Sequence, residues 1–285
     1  MITGIALVLL GAAAAAAPAP CENLATLKLD NATITSAEVV PEGPPPARGA
    51  GGAGARGARG GAARGGGARG NGAPQTPPPP PANIPAHCRV QLVLKPTSDS
   101  LINMELWMPT ENWNGKFMGV GNGGFAGSIQ GRTNEMPQAL RLGYATAGTD
   151  TGHQDPGGDW AIGHPEKMID FGYRSTHEMT LKAKQIVKTY YAEAAKYSYF
   201  KGCSTGGRMA MMEAQRYPND YDGIIAGSLA NRHIHMWTAG VARSIELSRH
   251  PEENLLAEKA TLVNQTVMGT CDALKAGFLN NPEQC

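Results

Sequence analysis

The pentapeptide Gly202-Cys203-Ser204-Thr205-Gly206 is the segment whose residue types and spacing point most directly to chemistry. It matches the pattern G-x-S-x-G, in which a serine occupies a sharp turn between a β-strand and an α-helix. The glycines allow the close backbone approach that such a turn needs, and the start of the helix offers amide groups that can stabilise an oxyanion. The pattern therefore predicts that Ser204 is the nucleophile of an acyl-transfer reaction.

The neighbouring sequence supplies the strand and the helix that this pattern requires. Residues 197–201 are predicted as a strand, and residues 205–217 as a helix that ends before Pro218. The alternative interpretation is a glycine-rich turn in a nucleotide-binding fold. It is less favoured, because the acidic residue that would contact a ribose downstream is not evident.

An oxyanion hole needs a second amide donor, which usually comes from the loop after an earlier strand. Gly123 and Gly124 lie in the glycine-rich run 121–127, directly after a strand predicted at 116–120. They are the candidate donors, although an ordinary glycine-rich turn is nearly as good an explanation of the run.

A nucleophilic serine also needs a base, and in folds of this type the chain order is serine, then an acid, then histidine. No histidine follows Asp272, and Asp220 and Asp222 lie in a short turn before the next predicted strand. The spacing of His233 and His235 would also suit a metal pair, although loop histidines are the commoner explanation. The histidines after Ser204 are His233, His235 and His250.

Alternating and continuous apolar segments predict the elements that position these residues. Strands are expected at 88–94, 102–108, 116–120, 144–148, 197–201 and 223–226, with a short β-like segment at 23–40. A helix is expected to begin with a capping box at Ser175-Thr176-His177-Glu178. Strand and helix alternate in the second half, which predicts an α/β fold with a mostly parallel sheet. Loops and helices without a clear strand follow from residue 231.

Composition separates one unusual segment from a foldable remainder. Residues 41–82 hold 13 of the 37 Gly, 10 of the 21 Pro and five Arg, and we interpret 41–83 as a disordered insertion. The remainder has 20 basic and 23 acidic residues, which excludes a strongly basic fold built for nucleic acid. An RNA-associated role for the Arg-Gly repeats is a weak alternative.

The N-terminus and the cysteines indicate export. A short apolar run at residues 5–10, followed by alanines, resembles a secretory signal within residues 1–19, and it is too short to predict a membrane span. None of the cysteines forms a CxxC pair, so disulfides in an oxidising compartment are expected, with one cysteine left over. The five cysteines are Cys21, Cys88, Cys203, Cys271 and Cys285.

Two segments around Ser204 resemble the tannase and feruloyl esterase family, which includes terephthalate monoester hydrolases. They are FKGCSTGGR at 200–208 and AQRYPNDYDGIIAG at 214–227, supported by NWNGKF at 112–117 and TDTGH at 149–153. The resemblance implies an α/β-hydrolase fold, with a core at 21–230 and the start of a lid domain at 231–285. It also implies Ser204 as nucleophile, the Thr205 and Gly124 amides as oxyanion donors, and a small aromatic ester as substrate.

The resemblance further implies the disulfides Cys21–Cys88 and Cys271–Cys285. Cys203 matches the family's cysteine that forms a disulfide with a second cysteine, next to the catalytic histidine. No Cys-His dipeptide follows Ser204, so we expect the sequence to stop inside the lid and the 285 residues alone to be inactive. Asp272 is a weak candidate for a calcium loop, and neither a cofactor nor a metal is expected. The alternative is a secreted, non-catalytic pseudoenzyme or binding protein.

Overall fold

A computed structural model describes residues 18–44, 83–155, 157–272, 275–279 and 281–285. The described residues fall into two compact units, which divide between Ala230 and Asn231. The predicted signal at 1–19 and the predicted insertion at 41–83 lie largely outside the described residues. None of the described helices combines the length and hydropathy needed to cross a bilayer.

The first unit is built on one seven-stranded sheet with the order β1-β2-β3-β5-β4-β6-β7. β1, β2 and β3 pair antiparallel, as do β3 and β5, whereas β5, β4, β6 and β7 pair in parallel. Five of the seven strands therefore run in one direction. The strands are β1 (Ala32–Val40), β2 (His87–Leu94), β3 (Ile102–Pro109), β4 (Lys116–Val120), β5 (Ala145–Thr149), β6 (Tyr197–Cys203) and β7 (Gly223–Gly227).

The apolar side chains of these strands form the core with the helices that cover the sheet. β2 alternates between buried and half-buried residues, as its period-two pattern predicts, whereas every residue of β5 is buried. α3 contributes Met179, Ala183 and Ile186 to the same core, and all three are fully buried. The helices of this unit are α1 (Glu135–Arg141), α2 (Pro165–Ile169), α3 (Ser175–Tyr191) and α4 (Thr205–Arg216).

The predicted capping box at Ser175 is wrong. A π-helical turn, Asp170–Arg174, joins α2 to α3, so Ser175 continues a helix instead of starting one. The Ser175 hydroxyl is buried and has no hydrogen-bond partner in the described part of the chain, and Glu178 pairs with Lys182 at 3.5 Å. The helix has no free N-terminus here, because the preceding turn already supplies its first acceptors.

The residues that flank the predicted insertion are hydrogen-bonded to each other. Gly43 and Ile84 exchange backbone hydrogen bonds of 3.1 and 2.7 Å, and Cys21 is bonded to Cys88 at the start of β2. The residues on either side of the predicted insertion are therefore paired with each other, between β1 and β2. The prediction of a mostly parallel α/β sheet is confirmed.

The described residues of the second unit form two α-helices, α5 (His233–Arg249) and α6 (Ala257–Cys271). A disulfide joins Cys271, the last residue of α6, to Cys285. Several of its large apolar side chains are exposed, among them Ile234, Leu255 and Leu262. No strand occurs among the described residues of this unit, in agreement with the pattern of its sequence.

Candidate functional site

Ser204 lies between the end of β6 and the start of α4, as the pentapeptide predicts. Its backbone has φ 58° and ψ −121°, a conformation that side-chain-bearing residues rarely adopt, and its side chain is exposed. The turn is held by the Ser204 amide, which donates to the Gly227 carbonyl at 3.1 Å, and by the Arg208 amide, which donates to the Ser204 carbonyl at 3.0 Å. This geometry presents the hydroxyl above the sheet at a helix N-terminus.

Glycines on both sides of Ser204 are required by contact between backbones. A Cβ atom on Gly202 would lie 2.1 Å from the Gly206 carbonyl oxygen, and one on Gly121 would lie 2.6 Å from the Gly206 Cα atom. A Cβ atom on Gly206 would lie 2.8 Å from the Asn122 carbonyl oxygen. The turn and the end of β4 can pack this closely only because all three positions lack a side chain.

The loop after β4 is held by Asn122 and Gln130. The Asn122 carbonyl accepts the Gly206 amide at 2.6 Å, and its side-chain amide donates to the Thr149 carbonyl at 2.6 Å. Gln130 binds both backbone groups of Gly123, accepting from its amide at 2.8 Å and donating to its carbonyl at 3.1 Å. The Gly123 amide is therefore engaged by Gln130, although it remains a predicted oxyanion donor.

Gly124 is joined directly to the residue that follows Ser204. The Thr205 hydroxyl donates to the Gly124 carbonyl at 2.6 Å, and Gly124 adopts a positive φ of 59°. Thr205 is the first residue of α4, so its amide has no acceptor within the helix. The structure thus brings together Ser204, the predicted nucleophile, with Thr205 and Gly124, two of the predicted oxyanion donors.

A cavity of about 370 Å³ opens beside Ser204. The glycine-rich run 121–127, called the glycine loop below, forms one wall. Two charged residues, Glu135 and Lys201, also contribute to the lining. The cavity is large enough for a small organic molecule. The lining residues are Gly121, Asn122, Gly123, Gln130, Glu135, Lys201, Gly202, Cys203, Ser204, Ile225 and Gly227.

None of the seven histidines of the chain lines this cavity. His153 is buried and stacks on Trp160 with ring centroids 4.0 Å apart, and burial lowers its pKa. His177 binds Asp220 at 2.7 Å, and Asp222 accepts the Ser198 amide at 2.7 Å. Asp220 and Asp222, which lie in the connection before β7, therefore bind groups on other elements.

The remaining predicted candidates lie elsewhere. His233 and His235 are two residues apart on α5, a spacing that puts their side chains on different sides of the helix. Cys203 is exposed and forms no disulfide. The carboxylate of Asp272 accepts the backbone amides of Ala276 at 2.9 Å and Gly277 at 2.8 Å, as in a local turn.

A buried carboxylate, Asp150, lies at the end of β5 and was not predicted as a functional residue. It accepts hydrogen bonds from the Asn103 amide, the Asn103 side chain and the Gly152 amide, at 3.0, 2.6 and 2.9 Å. Burial raises the pKa of Asp150 to about 6, against the effect of these donors. The carbonyl of its neighbour Thr149 accepts the Asn122 side-chain amide.

Sequence comparison matches residues 88–285 to the family model described as tannase and feruloyl esterase. The chain is 36% identical to feruloyl esterase B of Aspergillus niger over 203 residues, which cover 70% of the chain and 38% of that protein. It is 39% identical to an uncharacterized esterase of Xanthomonas campestris over 207 residues, covering 71% of the chain and 36% of that protein. The matched part thus spans less than two fifths of these relatives.

Comparison with solved structures gives the same relationship. The crystal structure of feruloyl esterase B from Aspergillus oryzae superposes with a TM-score of 0.72 at 30% identity, covering 93% of this chain and 48% of that one. An esterase from the same organism superposes with a TM-score of 0.58, also at 30% identity, covering 74% of this chain and 37% of that one. The sheet and the turn at Ser204 therefore belong to an α/β-hydrolase fold.

Proposed function

The chain belongs to the tannase and feruloyl esterase family, and we propose that it is the nucleophile-bearing part of an exported serine esterase. The substrates proposed are small aromatic esters, such as hydroxycinnamoyl or galloyl esters. The observation that carries the proposal is the link between the strained turn at Ser204 and Gly124. Thr205, the residue after Ser204, donates a 2.6 Å hydrogen bond from its hydroxyl to the Gly124 carbonyl.

In the proposed reaction, the Ser204 hydroxyl attacks the ester carbonyl and forms a tetrahedral intermediate. The amides of Thr205 and Gly124 donate hydrogen bonds to the oxygen that becomes negative. Collapse of the intermediate releases the alcohol and leaves an acyl group on Ser204, which water then hydrolyses. The proposed chemistry needs no cofactor.

The serine proton needs an acceptor, which is a histidine oriented by a carboxylate in folds of this type. Because no histidine lines the cavity, the proposal assigns neither the base nor its carboxylate to a named residue. We expect the 285 residues by themselves to be inactive for this reason. The second unit, residues 231–285, is proposed as the start of a lid domain.

Two disulfides in a chain of this size support export, since such bridges persist in oxidising compartments. A secreted or periplasmic location is therefore part of the proposal. The apolar residues at 5–10 support it as well.

Hydrolysis of methyl ferulate and methyl gallate tests the proposal in two polypeptides. One is the 285-residue chain, and the other extends beyond Cys285 in the same reading frame. We expect turnover only in the extended polypeptide, and Ser204→Ala is expected to abolish it. Turnover by the 285-residue chain that requires Ser204 would contradict the expectation that it is inactive.

Labelling with a fluorophosphonate separates an esterase from a non-catalytic relative. An active serine in the extended polypeptide reacts covalently, whereas Ser204→Ala does not. Absence of labelling in a folded extended polypeptide would favour a pseudoenzyme that keeps the turn for its architecture.

A further inference from the structure

Three side chains that can bind metals converge near the C-terminal end of α4. They are His177 on α3, Glu213 on α4 and Asp220 in the connection that leads to β7. One ligand atom from each lies within 4.8 Å of the others. Glu213 is nine residues after Ser204, about 13 Å along the helix axis, so the cluster is separate from the proposed esterase site.

Glu213 is the member of the cluster that the described contacts leave unexplained. The residue is fully buried, and no described N–H or O–H group donates to its carboxylate, which instead faces the carboxylate of Asp220. Burial raises the pKa of Glu213, and so do the charge of Asp220 and the hydrogen bond with it. A buried carboxylate without a donor is costly, so the site needs either a proton or a positive ion.

A cation, Lys184, and one partly exposed ligand, His177, lie at the cluster. The Lys184 ammonium donates to the backbone carbonyl of Asp220, and it lies 5.6 Å from the centre of the Tyr221 ring. The His177 side chain is 22% exposed and stacks on Tyr217, with centroids 3.7 Å apart. The imidazole therefore forms a partly open side of an otherwise buried site.

We propose that His177, Glu213 and Asp220 bind one divalent cation of the zinc type, with water completing its coordination. One imidazole and two carboxylates suit Zn²⁺, and the two negative charges balance the ion. Neighbouring ligands of a tetrahedral Zn²⁺ stand about 3.3 Å apart, so the His177–Asp220 contact of 2.7 Å opens slightly on binding. The ion joins α3, α4 and the connection before β7, and it stabilises the fold without taking part in ester cleavage.

Zinc titration of the metal-stripped 285-residue chain tests this site without any measurement of activity. The background variant is Cys203→Ser, because the exposed thiol would itself bind Zn²⁺. Calorimetry is expected to show binding at one equivalent, and Tm is expected to rise until that equivalent is reached. Glu213→Gln keeps the shape but removes the charge, and it is expected to weaken binding at least about tenfold.

Two further variants make the result specific. His177→Gln changes the partly exposed ligand and leaves Glu213 in place, so it tests the same site without disturbing the core. His164→Gln is the matched control, because His164 pairs with Asp99 at 2.7 Å and has no third ligand in the described structure. We expect loss of the tight equivalent in His177→Gln and no change in His164→Gln.

Equal zinc affinity in the background, Glu213→Gln and His177→Gln variants would overturn the proposal and assign the binding to other histidines. No rise in Tm with zinc, together with a higher Tm for Glu213→Gln, would also overturn it. In that case Glu213 is held in its protonated form. Neither result bears on the esterase proposal, since Ser204 takes part in none of these measurements.

Discussion

The Thr205 hydroxyl donates a 2.6 Å hydrogen bond to the Gly124 carbonyl oxygen, across 81 positions of sequence. This bond joins the first residue of the helix after Ser204 to a glycine whose φ is positive. The two amides proposed to bind the oxyanion therefore belong to residues that are tied to each other. Preorganisation of this kind is what makes an oxyanion hole effective, because the donors need not reorient during the reaction.

Thr205→Val tests this relationship, since valine keeps the shape of threonine but cannot donate. One neutral hydrogen bond contributes about 1 kcal/mol, so kcat/KM in the extended polypeptide is expected to fall about fivefold. Thr205→Ser retains the hydroxyl and is the matched control, with little expected change. Equal rates for the valine and serine variants would show that the bond does not position the loop.

Gln130→Leu is expected to loosen the loop without altering the sheet. Gln130 holds both backbone groups of Gly123, and leucine fills similar space without forming either bond. Hydrogen exchange of the Gly123 amide in the 285-residue chain is expected to become faster, while the amides of β4 stay protected. Gln138→Leu is the control, because the Gln138 side chain is exposed and, among the described residues, donates to the Asn134 side chain and not to the loop. Unchanged exchange at Gly123 would argue against a role for Gln130.

Much of the fold could be predicted from local patterns, because alternation along a strand and the period of a helix are visible in a single segment. The strand predicted at 197–201 is observed as Tyr197–Cys203, and the helix predicted at 205–217 as Thr205–Arg216. The start of α3 could not be predicted, since Ser175-Thr176-His177-Glu178 carries the residues of a cap while the preceding π-helical turn removes the need for one.

The site was predictable only where its residues are close in sequence. Ser204, Thr205 and the glycine run each carry a local signal. Gln130 gave no such signal, because its role depends on a turn that brings it back to Gly123. The cluster at Glu213 depends on packing between α3 and α4, and His177 and Asp220 are 43 positions apart.

Gly202→Ala is expected to destabilise the first unit strongly. The new methyl group would lie 2.1 Å from the Gly206 carbonyl oxygen, and neither backbone can move without displacing the turn. Overpacking of this kind costs about 1–3 kcal/mol or more, which urea unfolding would detect. Gly158→Ala is the control, because a Cβ atom there meets nothing within 4 Å. Similar stability in the two variants would show that the turn is looser than the structure indicates.

Removal of the Cys21–Cys88 bridge is expected to lower the free energy of unfolding of the first unit. The bridge closes a separation of 67 residues that contains the insertion between β1 and β2. Chain entropy alone predicts a loss of about 4 kcal/mol for a loop of this length. The double variant Cys21→Ala, Cys88→Ala should therefore unfold at a lower urea concentration. Deleting residues 45–82 from the double variant should restore part of the lost free energy of unfolding, because a shorter connection between β1 and β2 costs less chain entropy to close.

Asp150 predicts an unusual dependence of stability on pH. Burial raises its pKa from 3.8 to about 6, so the folded protein holds this proton more tightly than the unfolded chain does. Because folding raises the pKa of this carboxyl group, the contribution of Asp150 to the free energy of unfolding is greatest below about pH 4. It declines as the pH rises to about 6, with a total loss of up to about 3 kcal/mol. The direction is opposite to that of a carboxylate held by an ion pair.

The difference in unfolding free energy between the parent chain and Asp150→Asn isolates this effect from other titrating groups. Asparagine keeps one oxygen for the amides of Asn103 and Gly152 and does not ionise. We expect the parent to lose stability relative to Asp150→Asn as the pH is raised from 4 to 7 in urea titrations. A parent that gains relative stability over this range would mean that the hydrogen bonds outweigh burial, and that the pKa of Asp150 lies below its ordinary value.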